Sequence, residues 1–426
     1  MKRIPQRSEA ADNDQEMLDH HAVGHAQALW FSHAFAPGAP FFLPNGAHIY
    51  NKLIALMRSE CLARGYQEVL SPMLMSAELF DRSGHLAHYA QDMFLFDHDG
   101  RRVGLKPMSC PCHCLMFGAN ARSYRELPLR LAEFGVVHRN ECSGALSGLR
   151  RVVKFCQDDA HIFCAEEMVA AEVVAVLELQ RDVYAKLGLS ASYELASRPE
   201  KSLQGDDSMW QRAEEALGRA LDAVVGQGCW SIDEGGGAFY GPKIDIKVRD
   251  VRGAALQCAS IQLDFQMPER LGCRYVDSSG VRRVPVMIHR AVLGSIERMF
   301  AVLSERYQGD WPFWLSPQQA VVMPVSGADE AQCAQAKRVH QRLRAAGHAV
   351  SIDLSQRSMR AKVKEAEGHG PRGSLWRHHL VLVVGSKEVE SSAVNVKEAG
   401  AKQGQGVHLD DVCGYFARRE AGGDER

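Results

Sequence analysis

Apolar and polar positions alternate along two long stretches in the middle of the chain, "LAEFGVVHR" (131–139) and "RVVKFCQDDAHIFC" (151–164). A period of two indicates β-strands, and the segment 140–150 between them, rich in Gly, Ser and Asn, is typical of a long hairpin tip. Three further strand patterns follow, at 238–248, 255–265 and 283–289. With helical patterns around these strands, we expect an α+β domain with an antiparallel sheet, spanning 18–312.

Helical spacing of apolar residues predicts several helices in the same region, over about 18–36, 48–64, 165–187, 208–225 and 292–306. A short strand is predicted at "YQEVL", and another strand ends near Lys106. Pro111 suits the first position of a helix, which would place Cys110 at its N-cap. The polar residues 1–17 are predicted to be a disordered start.

The rhythm changes after "QGDWPFWLSPQ" (308–318). Strands at "AVVMPV", "AVSIDL", "HLVLVVG" and near 394 alternate with helices over 328–346 and from 357. This alternation predicts a second, small α/β domain over 317–420 with a mostly parallel sheet, followed by a tail at 421–426.

Composition adds little to this picture. The 426 residues are 46% hydrophobic and 24% charged with a formal net charge of −2, so overall charge does not indicate a polyanionic partner. No secretory leader or membrane-spanning apolar run is apparent. The twelve cysteines are scattered rather than arranged as a disulfide framework, which favours the reducing cytoplasm.

The segment "MSCPCHC" (108–114) concentrates thiols and an imidazole. Its spacing matches neither a zinc ribbon nor a C-x-x-C redox motif, so Cys112 and Cys114 are interpreted as small buried hydrophobes. Whether Cys110 contributes one group to a site built elsewhere is left open by spacing alone. His21 and His25 have the i, i+4 spacing of zinc ligands, but an exposed helix face is the preferred interpretation.

Strand parity gives a sharper signal. If 151–163 is extended, Phe155, Gln157, Asp159 and His161 lie on one face, which is either a ligand-binding face or a solvated one. Opposite it, Arg139 and Glu141 form either a phosphate clamp or a surface ion pair.

Longer motifs resolve these alternatives. The stretches "GYQEVLSPMLM", "LKPMSCP", "SYRELPLRLAEFGVVHRNE", "FCQDDAHIFC", "AFYGPKIDIKV", "QLDF", "VPVMIHRAVLGSIERMF" and "GSKEVES" resemble those of threonyl-tRNA synthetases, which are class II aminoacyl-tRNA synthetases. The resemblance is dense over 48–310 and looser beyond. It implies threonine–tRNA ligase activity: ATP-dependent formation of threonyl-adenylate and transfer to tRNA(Thr).

The resemblance also implies residue roles. Arg139 and Arg298 match the catalytic arginines of motifs 2 and 3, and "GYQEVLSPMLM" is similar to the homodimer-forming motif 1. The implied ATP-binding residues are Arg139, Glu141, Arg151, Phe155, Lys243, Gln257 and Arg298. The implied threonine-binding residues are Met108, Gln157, Asp159 and Tyr240. The implied ligands of one Zn²⁺ per subunit are Cys110, His161 and His289, and Mg²⁺ is expected with ATP.

Two further expectations concern what differs from the family. Only about 47 residues precede the catalytic motifs, so we expect a short form without the N-terminal TGS and editing domains. Such a form would either mischarge tRNA with serine in isolation or rely on a separate editing protein. Ser109, Cys112, Gly236 and Ala259 depart from the family pattern beside the pocket. An alternative is therefore a biosynthetic or antibiotic-resistance paralogue that activates threonine or an analogue for a non-tRNA acceptor, or tolerates an inhibitor.

Overall fold

The structure, a computed structural model, describes residues 17–199, 207–238, 240–250, 252–370 and 375–422. The predicted disordered start lies outside these ranges except for Met17, as does most of the predicted tail. Among the helices in the described ranges, none combines the length and the apolar character needed to cross a membrane.

The helices range in length from 4 to 20 residues. They are α1 (His20–Ala26), α2 (Pro44–Ala63), α3 (Ala77–Arg82), α4 (His85–Tyr89), α5 (Cys110–Gly118), α6 (Val169–Lys186), α7 (Asp207–Val224), α8 (Met267–Arg270), α9 (Ile296–Tyr307), α10 (Glu330–Ala345), α11 (Met359–Ala366), α12 (Ser386–Glu390) and α13 (Val412–Glu420).

The strands before residue 300 are β1 (Trp30–Phe31), β2 (Phe41–Phe42), β3 (Gln67–Glu68), β4 (Leu74–Ser76), β5 (Leu95–His98), β6 (Arg101–Leu105), β7 (Arg122–Ser123), β8 (Leu129–His138), β9 (Lys154–Cys164), β10 (Ser192–Ala196), β11 (Trp230–Asp233), β12 (Lys243–Arg249), β13 (Ala255–Asp264), β14 (Tyr275–Val276), β15 (Arg282–Arg283) and β16 (Val286–Ala291). Those after it are β17 (Ala320–Pro324), β18 (Val350–Ile352), β19 (Leu380–Val384), β20 (Ala393–Glu398) and β21 (Gln405–His408).

The first helix is much shorter than the predicted 18–36. Asp19 caps α1 by accepting from the backbone N–H of Ala22, and the chain then turns through Ala28 at φ +48°. Trp30 folds back so closely that a Cβ on Gly24 would lie 2.4 Å from its indole nitrogen. Trp30 and Phe31, which extended the helical pattern, therefore form β1, which pairs with β2 and contacts α1.

The predicted antiparallel sheet is confirmed. Within the described residues its strands run in the order β11-β10-β12-β13-β16-β9-β8-β3, and only the outer pairs β10–β11 and β3–β8 are parallel. The middle strands are β13 and β16, and the long hairpin β8–β9 pairs with β16 through β9. Helix α6 covers one face with fully buried Val173, Leu177 and Val183, each contributing about 1.5–3 kcal/mol through burial.

The C-terminal sheet differs from the predicted mostly parallel one. Its strand order is β18-β17-β19-β20-β21, and the β17 pairings are parallel whereas β19–β20 and β20–β21 are antiparallel. A parallel return from β19 would need a crossover of a dozen or more residues. The connection 385–392 holds only the short α12, so the chain returns antiparallel. This sheet has its own apolar core with α10 and α13.

Candidate active site

A cavity of about 340 Å³ opens on the face of the central sheet opposite α6. Its walls come from β9, β13 and β16, the start of α5 and the start of α9. It gathers nearly all the residues singled out in the sequence: Met108, Cys110, Arg139, Glu141, Arg151, Phe155, Gln157, Asp159, His161, Tyr240, Gln257, His289 and Arg298.

Strand β9 carries the cavity floor with the predicted parity. Phe155, Gln157, Asp159 and His161 line the cavity. The intervening residues Cys156, Ala160 and Ile162 are buried in the apolar core beneath. The ligand-binding interpretation of this face is therefore favoured over the solvated one.

Three potential metal ligands meet at one end of the cavity. His161 and His289 are direct cross-strand partners on β9 and β16, and Cys110 is the first residue of α5. The ligand atoms of the three side chains lie within 4.8 Å of one another. Burial raises the pKa of the Cys110 thiol and so disfavours the thiolate. A bound divalent cation would counter this effect by stabilising the thiolate.

The donor pattern around these histidines fits a metal ion. Asp264 accepts from the backbone N–H of Gln266 and Met267 and lies 3.0 Å from His289 Nε2, which fixes that nitrogen as a donor. His289 Nδ1 is then an unprotonated acceptor, and it faces His161 Nε2 at 3.1 Å. The other ring nitrogen of His161 is engaged by His113 at 2.8 Å. Three protein ligands with a fourth position left open are the usual arrangement of a catalytic zinc site, and Cys and His are both zinc ligands.

Two arginines dominate the other end of the cavity. The guanidinium of Arg139 lies 5.1 Å from the centre of the Phe155 ring, and burial lowers its pKa. Arg298, near the start of α9, donates from Nε to the carbonyl of Arg150 at 3.0 Å and from Nη1 to that of Gln257 at 2.7 Å. Both cations are thus oriented before any ligand binds.

The predicted threonine-binding residues line the same cavity, and two of them lie beside the predicted metal ligands. The Tyr240 ring stacks on His289 with centroids 5.4 Å apart. Asp159 Oδ1 lies 3.8 Å from His161 Nε2, and its Oδ2 accepts from the backbone N–H of Ser109. A carboxylate beside the metal ligands is suited to an ammonium group.

Two predicted ATP-binding residues are engaged elsewhere. Lys243 does not line the cavity, because its Nζ lies 2.7 Å from the carboxylate of Asp245 on the same strand face. Glu141 lines the cavity and accepts from Arg151 at 2.7 Å, so its ion pair is with Arg151 rather than with Arg139 as weighed from the sequence.

The cysteine-rich segment forms α5 one residue earlier than predicted, with Ser109 rather than Cys110 at the N-cap and Pro111 within the first turn. Cys112 and Cys114 are buried, as predicted. His21 and His25 are exposed on α1 and take no part in the cavity.

Sequence reasoning missed several contributors. Arg150 and Gln262 line the cavity, and Asp264 supports His289. His85, on α4, brings Nε2 to 3.7 Å from the Cys110 sulfur. The only available signal for Asp264 was its place in the quoted "QLDF", at a strand end.

Two protein families match this chain, one in each of the two regions that have their own apolar core. The family described as "tRNA synthetase class II core domain (G, H, P, S and T)" matches residues 94–307, and "Anticodon binding domain" matches 319–419. A crystal structure from Cryptosporidium parvum Iowa II, described as the RNA binding domain of threonyl-tRNA synthetase, superposes with a TM-score of 0.87 at 41% identity. The alignment covers 94% of this chain and 98% of that one.

Curated relatives carry the same description. Threonine–tRNA ligase 1, cytoplasmic, of Rattus norvegicus is 47% identical over 404 residues, and threonine–tRNA ligase, mitochondrial 1, of Arabidopsis thaliana is 48% identical over 409. The alignments cover 94% and 96% of this chain but 56% of each relative. The chain therefore spans about half the length of the curated relatives it matches.

Proposed function

We propose that this chain, which belongs to the threonyl-tRNA synthetase family of class II aminoacyl-tRNA synthetases, activates L-threonine with ATP and transfers the threonyl group to tRNA(Thr). One observation carries the proposal. A single cavity joins two pre-oriented guanidinium groups, from Arg139 and Arg298, to the cluster of Cys110, His161 and His289. The two guanidinium groups suit a triphosphate, and the cysteine–histidine cluster suits a small polar amino acid.

In the first step a threonine carboxylate oxygen attacks the α-phosphorus of ATP, and the bond to the bridging oxygen breaks to release diphosphate. Arg139, held over Phe155, would neutralise charge on the α-phosphate while the aromatic ring stacks on the adenine. Arg298 would bind the γ-phosphate, and Mg²⁺ would accompany the nucleotide. Such reactions depend on positioning and charge stabilisation rather than on protein nucleophiles. Of the further ATP contacts proposed, Glu141, Arg151 and Gln257 line the cavity, and Lys243 would have to exchange its present carboxylate partner.

Selection of threonine is proposed to depend on Cys110, His161 and His289 as the ligands of one zinc ion. When bound, zinc would supply open positions for the amino group and side-chain hydroxyl of threonine. Asp159 would orient the ammonium group, with Met108, Gln157 and Tyr240 enclosing the side chain. Valine lacks the hydroxyl and is expected to be rejected by about 10⁴-fold or more, whereas serine lacks only a methyl group, worth about 1–3 kcal/mol. Seryl-tRNA would then be cleared outside this cavity, for example by a separate editing protein.

In the second step a terminal hydroxyl oxygen of tRNA(Thr) attacks the threonyl carbonyl carbon, and AMP leaves. We propose residues 18–312 as the catalytic domain and 317–420 as the anticodon-binding domain. The family matches at 94–307 and 319–419 and the two separate apolar cores support this division.

A homodimer is proposed from the motif 1 segment. Leu70, Met73 and Leu74 are 80%, 49% and 44% exposed there, which is unusual for a cluster of large apolar side chains and supports burial against a second copy. Twelve free thiols support a reducing compartment such as the cytoplasm.

The test is threonine-dependent ATP–diphosphate exchange followed by charging of tRNA(Thr) with the purified chain. Both reactions are expected, with Arg139→Ala abolishing both. Exchange without charging would contradict the proposal and favour a non-tRNA acceptor.

A further inference from the structure

Three polar side chains lie beneath the metal-ligand end of the cavity without lining it. Lys106, Glu133 and His113 are 1%, 2% and 0% exposed, and they come from the end of β6, from β8 and from α5. Burying an ammonium, a carboxylate and an imidazole together costs stability unless each is fully paired. Their hydrogen bonds determine which atom donates and which accepts at each step from Lys106 to His161.

Glu133 is surrounded by donors. Its Oε1 accepts from Lys106 Nζ at 2.8 Å and from the backbone N–H of Ser71 at 2.9 Å, and its Oε2 accepts from Ser71 Oγ at 2.8 Å. A carboxylate so engaged is an acceptor only. His113 Nε2, 3.2 Å from Oε2, must therefore carry the proton of its ring and donate it.

The same assignment of donors and acceptors extends to His161, the proposed metal ligand. With Nε2 of His113 protonated, its Nδ1 is the acceptor for the Nδ1–H of His161, 2.8 Å away. In neutral His161 the remaining nitrogen, Nε2, then has no proton and presents its lone pair to the cavity. That lone pair meets the one on His289 Nδ1 at 3.1 Å, an arrangement that becomes favourable when a cation lies beside both nitrogens.

We propose that Lys106, Glu133 and His113 form a positioning relay whose role is to hold His161 in the tautomer and orientation that bind the metal. The inference rests on the proposed function only in requiring a metal at Cys110, His161 and His289. It assigns the histidine of "CPCHC" to the support of a ligand from another strand. Outer partners of this kind typically affect metal affinity by about 10–100-fold.

Glu133→Gln tests the direction of the relay. The glutamine amide has an NH2 group in place of one carboxylate oxygen. This NH2 group faces either the donors Lys106 and Ser71 or Nε2 of His113. In the second case the protons reverse along the relay, and His161 Nε2 becomes protonated and unable to bind a metal. Glu172→Gln is the matched control, because Glu172 on α6 is also buried and accepts two hydrogen bonds from Arg130 on the same strand β8.

His113 provides a second pair of variants. In His113→Asn the side-chain oxygen can replace Nδ1 as acceptor for His161, whereas His113→Leu offers no acceptor. The asparagine variant is expected to recover most of the metal affinity that the leucine variant loses. A merely structural role would not distinguish the two in this way.

The experiment uses the full chain freed of metal with a chelator and titrated with Co²⁺, with affinity read from the ligand-field and thiolate-to-cobalt bands. Wild type and Glu172→Gln should bind alike, and Glu133→Gln and His113→Leu about 10–100-fold more weakly. Thermal unfolding of the apo forms checks that each variant is folded. Unchanged affinity in Glu133→Gln and His113→Leu would overturn the relay alone. A wild type without cobalt–thiolate bands would overturn both the relay and the metal site.

Discussion

Asp158 and Asp159 are adjacent on β9 and face opposite sides of the sheet. Asp159 lines the cavity, whereas Asp158 is buried beneath it. Asp158 accepts from the backbone N–H groups of Val292 and Leu293 at 2.8 and 3.0 Å. Its carboxylate also lies 3.5 Å from Nη1 of Arg290, whose side chain is only 1% exposed. Replacing Asp158 with alanine would leave this guanidinium without its carboxylate partner.

The expected cost follows from that burial. Removing one partner of a buried ion pair costs about 3–5 kcal/mol, because the remaining charge cannot be rehydrated. At about 2 °C per kcal/mol for a domain of this size, the unfolding midpoint should fall by about 6–10 °C. Burial raises the pKa of Asp158 to about 6, so the pair is charged at neutral and alkaline pH.

Thermal unfolding at mildly alkaline pH measures this effect in the single variant Asp158→Ala and in the double variant Asp158→Ala/Arg290→Met. Since a buried ion pair can often be replaced by apolar groups at little cost, the double variant should recover at least half of the loss. A single variant that melts within about 2 °C of wild type would show that the Arg290 charge does not depend on Asp158 for its stability in the interior. So would a double variant less stable than the single one.

Three further predictions concern metal binding, nucleotide handling and acid stability. Cys110→Ala should lose bound metal and threonine activation whereas Cys112→Gly retains both, measured by metal analysis and diphosphate exchange. Arg298→Lys cannot keep both backbone carbonyl bonds while reaching the cavity, so the exchange kcat should fall by about 10²–10³-fold. Burial lowers the pKa of His379 from 6.5 to about 4. Between these pH values the unfolded chain alone gains a proton there, so stability should fall by about 2–3 kcal/mol as the pH drops, and less in His379→Gln.

The central hairpin and the polar face of β9 were predictable from local pattern. Strand parity requires nothing beyond the chain itself, and it correctly grouped Phe155, Gln157, Asp159 and His161. The length of α1 was not predictable in this way, because Leu29 and Trp30 continue the helical spacing although Trp30 packs back on Gly24 and Leu29 lies against Gly46. The antiparallel β19–β20 pairing likewise depends on how much chain is available for the return.

The metal-ligand cluster lay beyond spacing alone. Its three side chains come from α5, β9 and β16, so only resemblance to a family could connect them before the fold was known. The role of His113 could not be predicted from the sequence for the same reason. In the sequence it belongs to the cysteine cluster, but in the fold it contacts His161 and Glu133 from the protein interior.

ATP–diphosphate exchange by the zinc-loaded chain, with kcat/KM compared for threonine, serine and valine, measures directly how this site selects its amino acid. We expect efficient exchange with threonine, about 10–200-fold less with serine and about 10⁴-fold or more less with valine. Valine exchange comparable to that of serine would contradict this expectation, because the cluster of Cys110, His161 and His289 would then not be recognising the threonine hydroxyl.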